Sequence, residues 1–412
     1  MPELAIDGGP EAAADLEVPE WPQVNESSRR YVEECLESGR WCRTTTDGDG
    51  FCDRLEAAFA DYHDADHAIA VSNGTTAIEL ALRACGVQPG DEVIVPSYSF
   101  IASASAIPCV GAVPRFVDTD VETYNIDPDH LEEVITEKTV GIVGVHFAGY
   151  PMDMDRLLPI VEENDLFLIE DSAHAQGSEW RGEKIGTFGD FGTFSFQESK
   201  SLPSGEGGIV TTDDPVLADR ARTMANIGRR QGETGYYFYY LASNRRLSEL
   251  QAGLALGQLE TLDEENRIRE AREELLLEEL ESIDGIETKP RDDRITARGY
   301  CIENFRYDSA AFGGLSRDRF IEALRAEGVP VSDGYEMPLY RQPAFFRNEV
   351  GRFLPTGTEI PDYPNHHLPG AEEICETNVT YSHRLLLAEE EGIRAVGAAI
   401  RKIQDNVDEL LE

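Results

Sequence analysis

Between residues 68 and 170 short apolar runs alternate with stretches of helical periodicity, and no other feature of the chain restricts its fold so sharply. Residues 68–72 (Ala-Ile-Ala-Val-Ser) read as a strand, and 75–86 as a helix closed by Gly86. Residues 92–96, 112–117, 139–145 and 166–170 read as further strands, separated by helices over about 99–110, 128–136 and 153–164. Such alternation predicts an α/β fold with a mostly parallel central sheet covered on both faces, because parallel neighbours need a crossover long enough for a helix. Ligands on sheets of this kind bind at the carboxyl ends of the strands. At 412 residues the chain is long for one core. From about residue 255 the pattern changes to one long charged helical stretch, Leu256 to about Ile283, and then to mixed strand (299–305) and helix (317–327, 390–409) signals. The expected division is an N-terminal arm (1–30), a large domain (31–265) and a smaller α+β C-terminal domain (266–412). The stretch 341–370, rich in proline, histidine and aromatics, is too long for a plain connector and is expected to shape a substrate pocket.

The residues with chemistry gather near those carboxyl ends. Phe167-Leu168-Ile169-Glu170-Asp171 is a buried strand that delivers a carboxylate at its end. Phe194-Ser195-Phe196 runs out just before Lys200, one of five lysines, and Gly205-Glu206-Gly207-Gly208 leads into another apolar run. A buried lysine can lose its proton and form a Schiff base with a carbonyl. A buried carboxylate can keep a pyridinium nitrogen protonated, the property that makes pyridoxal phosphate an electron sink. Together they suggest an enzyme that uses this cofactor. Asn73-Gly74-Thr75-Thr76 joins a strand to a helix, so its free N–H groups form an anion site, though a plain helix cap explains it equally. Simpler roles exist for the others too: a turn or cap for Asp171, a structural histidine for His174, core packing for Phe100 and Ser195, surface positions for Asn244 and Arg246.

Taken in order, Ser72-Asn73-Gly74-Thr75-Thr76, Glu170-Asp171-Ser172-Ala173-His174, Phe194-Ser195-Phe196…Lys200…Gly205-Glu206-Gly207-Gly208 and Asn244-Arg245-Arg246-Leu247-Ser248 carry a resemblance. From Leu4 to Leu387 the chain resembles the pyridoxal phosphate-dependent sugar and cyclitol aminotransferases of the DegT/StrS group. The resemblance implies a fold-type I transferase that moves an amino group from L-glutamate or L-glutamine to a keto sugar or keto cyclitol. It implies that Lys200 carries the cofactor and moves the proton, that Asp171 pairs with the ring nitrogen, and that His174 stands beside the 3′ oxygen. Many relatives have glutamine at that last position, so histidine keeps a donor and makes it titratable. Gly74, Thr75, Thr76 and Ser195 would hold the phosphate, Phe100 would stack on the ring, and Asn244 would reach the phosphate of the other subunit of a homodimer or dimer of dimers. Arg246 suits a donor carboxylate, and Tyr340, in the Pro338–Pro343 loop, is a candidate substrate contact. That loop, the Leu4–Pro10 stretch and His383–Leu387 look most like the branch handling inososes and aminohydroxybenzoate precursors. Three rivals compete. Dehydratases of this fold carry histidine in place of the lysine, a non-catalytic member would lose Lys200 or Asp171, and a nicotinamide-binding protein would show a Gly-x-Gly-x-x-Gly turn. This chain has both residues and no such turn in its first half.

Composition narrows the partners. Lys+Arg is 36 and Asp+Glu 79, a net charge of −43 spread along the chain. Nucleic acid and anionic membrane are poor partners for such a surface. No apolar run approaches membrane-spanning length, and the acidic start lacks a signal-peptide pattern. Seven cysteines with no CxxC pair argue for reduced thiols in a cytoplasmic protein. His366-His367 has no third ligand in register, so no metal is expected. The lysine-poor acidic excess fits a halophilic protein, with an ordinary acidic cytoplasmic enzyme as the alternative. The Debye length shrinks from about 10 Å at 0.1 M salt to about 3 Å at 1 M, which suppresses most repulsion between surface carboxylates. Melting temperature is therefore expected to rise from dilute buffer to molar chloride, similarly for sodium and potassium. A melting temperature independent of salt would defeat the salt-adapted reading.

Overall fold

In the computed structural model, which describes residues 3–43, 48–233, 235–346 and 349–411, the alternation becomes one large sheet with helices on both faces. Its strands are β1 (His67–Val71), β2 (Glu92–Pro96), β3 (Val113–Val117), β4 (Thr139–Val145) and β5 (Phe167–Asp171). A short hairpin, β6 (Glu179–Trp180) and β7 (Glu183–Lys184), then precedes β8 (Phe191–Ser195) and β9 (Gly208–Thr212). The order β1-β9-β8-β5-β4-β2-β3 is parallel from β8 to β3, and β9 pairs antiparallel with both β1 and β8. The strands are near-continuous Val/Ile/Leu/Phe runs because both faces are covered. Polar caps start the crossover helices where the sequence supplies them. Asn73, Asp153 and Asp214 each accept a backbone N–H from the first turn of the helix that follows.

The smaller sheet has the antiparallel order β10-β12-β14-β13, from β10 (Ile286–Glu287), β12 (Ile302–Tyr307), β13 (Val331–Ser332) and β14 (Asn378–Ser382). Helices Arg317–Ala326 and Glu390–Asp405 share its apolar core with Leu4 and Ala13 of the N-terminal arm. Glu327 latches that arm, accepting the N–H groups of Ala5 (2.9 Å) and Ala12 (2.8 Å) and an ion pair from Lys402 (2.8 Å). The remaining strand, β11 (Ile295–Ala297), pairs with β6, so this segment reaches back onto the large sheet's surroundings.

Two expectations need correction. The helical stretch from Leu256 to Ile283 is two helices, Glu249–Leu259 and Leu262–Leu280. The first begins earlier because Ser248 caps it, and it stops where Asn25 donates to Gly257 O (2.8 Å) and to Thr261 Oγ (3.3 Å). That side chain comes from a distant segment and leaves no trace in the local pattern. The stretch 341–370, expected to shape a pocket, does not line the cavity described below, and part of it is core. Phe345 and Tyr363 pack on Phe116 of β3 at 5.1 and 5.4 Å between ring centroids, and Tyr363 donates to Pro114 O at 2.8 Å.

Candidate active site

A cavity of about 750 Å³ opens at the carboxyl ends of β4, β5 and β8, where three kinds of group converge. The first is a helix end. Asn73 Oδ1 takes the N–H of Thr76 at 2.8 Å, which leaves the N–H groups of Gly74 and Thr75 as free donors at the N-terminus of Gly74–Ala84. Ser195 at the end of β8 lies directly against it: a Cβ built on Gly74 would stand 2.8 Å from the Ser195 Cβ and 3.2 Å from its Oγ. Only glycine lets hydroxyl and helix end approach this closely. The result is a compact anion cradle.

The second group is Asp171. It is buried, and Oδ2 accepts from Ser103 Oγ at 2.7 Å while Oδ1 accepts the Ala173 N–H at 3.3 Å. Burial pushes its carboxyl above the usual range, and the Ser103 hydrogen bond, the Ala173 N–H and the charge of Lys200 pull the other way. Such a carboxylate is best satisfied by a cationic N–H donor. His174 lines the same cavity, and its Nδ1 accepts the N–H of Ala148 at 3.2 Å. Burial, with Lys200 and Lys289 nearby, drives its pKa well below the ordinary histidine value. That direction, with Nδ1 already accepting a hydrogen bond, favours a neutral ring whose remaining donor is Nε2, where the sequence allowed a titratable one.

The third is Lys200. Its Nζ approaches Cys301 Sγ at 3.7 Å, and its backbone is pinned from behind. Trp21 Nε1 donates to Lys200 O (3.1 Å), His383 Nε2 to Ser199 O (3.2 Å), and Lys200 N–H to Gln197 O (2.9 Å). Phe100 heads the helix Ile101–Cys109 and lines the cavity with its ring 54% exposed, a flat apolar face open to a planar partner.

Gly74, Thr75, Thr76, Phe100, Asp171, His174, Ser195 and Lys200 thus share one cavity. Asn244, Arg246 and Tyr340 do not line it. Asn244 is exposed, Arg246 donates to Asn226 Oδ1 at 2.9 Å, and Tyr340 is fully buried with its hydroxyl on Glu372 at 2.5 Å. Sequence reasoning missed Ser103, Cys301 and Tyr335. Ser103 stands one helical turn past Phe100, a placement visible in the sequence, whereas the other two arrive from the small-domain segment and carry no local signal. An anion cradle closed to any Cβ, an exposed aromatic face, a buried carboxylate and an amine are what pyridoxal phosphate requires, and the residues fit it. Among the described residues no group of three His, Cys, Asp or Glu side chains is placed to hold a metal, and no helix is long and apolar enough to cross a membrane.

Comparison with known proteins agrees with this geometry. Residues 22–400 match the DegT/DnrJ/EryC1/StrS aminotransferase family. The chain is 38% identical over 424 residues to L-glutamine:scyllo-inosose aminotransferase of Streptomyces griseus, with 99% of each chain covered. It is 37% identical over 420 residues to L-glutamine:2-deoxy-scyllo-inosose aminotransferase of Micromonospora echinospora, again with 99% of each covered. Among solved structures, 3-amino-5-hydroxybenzoic acid synthase superposes with a TM-score of 0.84 at 34% identity, covering 96% of this chain and 99% of that one.

The cradle yields a direct test. Gly74→Ala forces the added methyl onto Ser195, so cofactor affinity is expected to fall on the order of tenfold to a hundredfold, equivalent to about 1–3 kcal/mol. Absorbance titration measures it, with the melting curve of the cofactor-free protein as the folding control. Unchanged affinity in the folded variant would place the phosphate elsewhere.

Proposed function

The chain belongs to the DegT/DnrJ/EryC1/StrS aminotransferase family, and from that premise we propose that this pyridoxal phosphate-dependent aminotransferase moves the amino group of L-glutamine to a keto cyclitol of the inosose class. The observation that carries the reading is the meeting of the Lys200 amine, the Asp171 carboxylate and the Gly74–Ser195 cradle in one cavity. The choice of donor and acceptor is supported by the relatives named for those substrates, which align with this chain along almost its whole length.

Pyridoxal phosphate, when bound, supplies the electron sink that makes a proton on the amino-bearing carbon removable. The protein's own groups do the rest. The free N–H groups of Gly74 and Thr75, with the hydroxyls of Thr75, Thr76 and Ser195, bind the dianion through fixed dipoles rather than through a mobile cation. Asp171, held by Ser103, would pair with the ring nitrogen and keep its proton in place. With Nδ1 engaged by Ala148, His174 would have Nε2–H to offer the 3′ oxygen, and the exposed Phe100 would cover one ring face. Lys200 would hold the cofactor at rest, and its amine would be the base that moves the proton between the donor carbon and the neighbouring position. Its pinned backbone keeps that short path constant.

The working unit in this reading is a homodimer, or a dimer of dimers, in the cytoplasm. The segment before Asn244 exposes Tyr236 (87%), Tyr237 (68%), Phe238 (56%) and Leu241 (104%), an apolar strip of the kind that subunit contacts cover. Asn244 lies just beyond it, exposed and outside its own cavity, which supports a role in the site of a second subunit.

Substrate choice is tested with purified enzyme, L-glutamine or L-glutamate as donor, and a panel of inososes and nucleotide keto sugars. Turnover is expected with glutamine and an inosose, at a kcat/KM well above that for any nucleotide sugar. Preference for a nucleotide sugar would overturn the cyclitol assignment and leave the aminotransferase chemistry standing.

Sharing of sites has its own measurement. Lys200→Ala and Asn244→Ala subunits are each expected to be inactive alone. Mixing them places both lesions in one site of a mixed dimer and leaves the other intact, so up to about half of the activity per mixed dimer is expected to return. No recovery despite demonstrated subunit exchange would mean self-contained sites.

A further inference from the structure

Ala148 sits in left-handed backbone, φ 57° and ψ 26°, a conformation that a residue with a Cβ seldom adopts. Both ends of its peptide are held. Its N–H donates to His174 Nδ1 at 3.2 Å, and its carbonyl accepts from Arg298 Nη2 at 3.0 Å. The next residue is fixed as tightly. Gly149 has φ 73°, its carbonyl accepts from Ser178 Oγ at 2.7 Å, and that hydroxyl in turn accepts the Gly299 N–H at 2.8 Å. Arg298 itself is held between Glu273 and Glu303, with Nη2 at 2.9 Å from Glu303 Oε2. The turn after β4 is thus clamped by residues 298 and 299; of its two N–H groups given to side chains, that of Phe147 goes to Asn125 Oδ1 (2.9 Å) and that of Ala148 to the imidazole.

An imidazole nitrogen that accepts a hydrogen bond carries no proton, so the proton of the neutral ring is on the other nitrogen. We infer that Arg298 is a positioning residue: by holding the Ala148 peptide in its left-handed turn, it fixes His174 as the tautomer whose Nε2–H is the donor in the cavity. The groups facing the ring favour the same state. Lys200 on the cavity side and Lys289 behind it both oppose a second positive charge, and the Phe147 ring meets the imidazole edge-on at 5.6 Å. Asp171 sits three residues earlier in the same cavity, and the Cys301 thiol and Tyr335 phenol belong to the same wall. Reversing the tautomer would bring two N–H groups head to head at Ala148. Protonating the ring would do the same and add charge beside two lysines. The donor is therefore constant across the working pH range, as a primary amide would be. That His174 faces the cofactor rests on the function proposed above. The tautomer lock does not.

The test reads the ring directly. Protein labelled with nitrogen-15 in histidine, free of cofactor, is followed by NMR from pH 6 to 9, and His174 is assigned from the signals lost in His174→Gln. The expected result is protonated Nε2 and bare Nδ1 throughout. A proton on Nδ1, or on both nitrogens, overturns the proposal without any variant. Arg298→Lys keeps a cation between Glu273 and Glu303 but loses the fork that reaches Ala148. Mixed tautomers, or a ring that titrates within this range, are expected in the folded variant, and an unchanged single tautomer there overturns the role of Arg298. In the loaded enzyme, His174→Leu is expected to shift the pH at which the bound cofactor's visible absorbance changes. No shift would mean that His174 does not face the cofactor. The reading of the site would then fall, while the lock seen without cofactor would stand.

Discussion

Side chains alternate across a strand, so Glu170 and Asp171 leave the end of β5 in opposite directions, and the rest of the molecule is arranged around that divergence. Glu170 points into the interior and is fully buried, where it accepts the N–H groups of Gly186 (2.9 Å), Phe188 (2.8 Å) and Gly189 (2.8 Å) and donation from His146 Nε2 (3.0 Å). His146 can donate there because its Nδ1 accepts the Met152 N–H at 3.0 Å. A buried carboxylate so fully satisfied ties the turn before β8 and the turn after β4 to β5. Asp171, one residue on, points into the cavity and takes Ser103 from the helix after β2. Since β8 starts from the Glu170-bound turn and ends at Ser195, one carboxylate sets the frame within which the other works.

The same economy shows in how a strongly acidic chain provides for an anion. With 79 acidic side chains against 36 basic ones, a phosphate dianion meets net repulsion at long range. The cradle answers with donors that act at contact distance, namely helix-terminal N–H groups and hydroxyls brought together by the missing Cβ of Gly74. Of the five lysines, Lys200 lines the cavity and Lys289 stands close behind it. Burial lowers Lys289 to about 8 despite the carboxylate of Glu303 at 3.7 Å. These two lysines are thus placed where solvent ions screen charge least.

Much of this was legible in the sequence, and the rest was not for identifiable reasons. The strands and crossover helices of the large domain are local patterns, and the sequence boundaries agree with the structure to within about two residues for β1 through β5. The insertion of β9 between β1 and β8, against the direction of the others, is a matter of pairing and has no local signature. The cradle, Asp171 and Lys200 were recognisable because each sits in a contiguous motif at a strand end. Cys301 and Tyr335 reach the cavity, and Ser103 reaches Asp171, from separate segments, and the packing of Phe345 and Tyr363 on Phe116 cannot be seen in one dimension. His174 was found, but its charge state depends on Ala148 and Lys289, which only the fold brings near it.

Where the two domains meet, backbone touches backbone. A Cβ on Gly149 would stand 1.8 Å from Gly299 O, and one on Gly299 would stand 2.5 Å from Gln176 O. Gln176 in turn donates to Ser195 O at 2.9 Å, while its own carbonyl accepts from Asn266 Nδ2 at 3.1 Å. Backbone approach this close, together with the Ser178 and Arg298 hydrogen bonds, couples the segment around Gly299 to the residues holding the cradle and to the turn holding His174. Cys301 and Tyr335 enter the cavity wall from that same domain. Lys200 is bound from the same direction, with His383 of the second domain and Trp21 of the arm packed edge to face at 4.8 Å, each donating to its loop. The cavity wall is therefore built across segments distant in sequence that meet through close backbone contacts, an arrangement that suits a reaction whose proton must travel a short fixed distance.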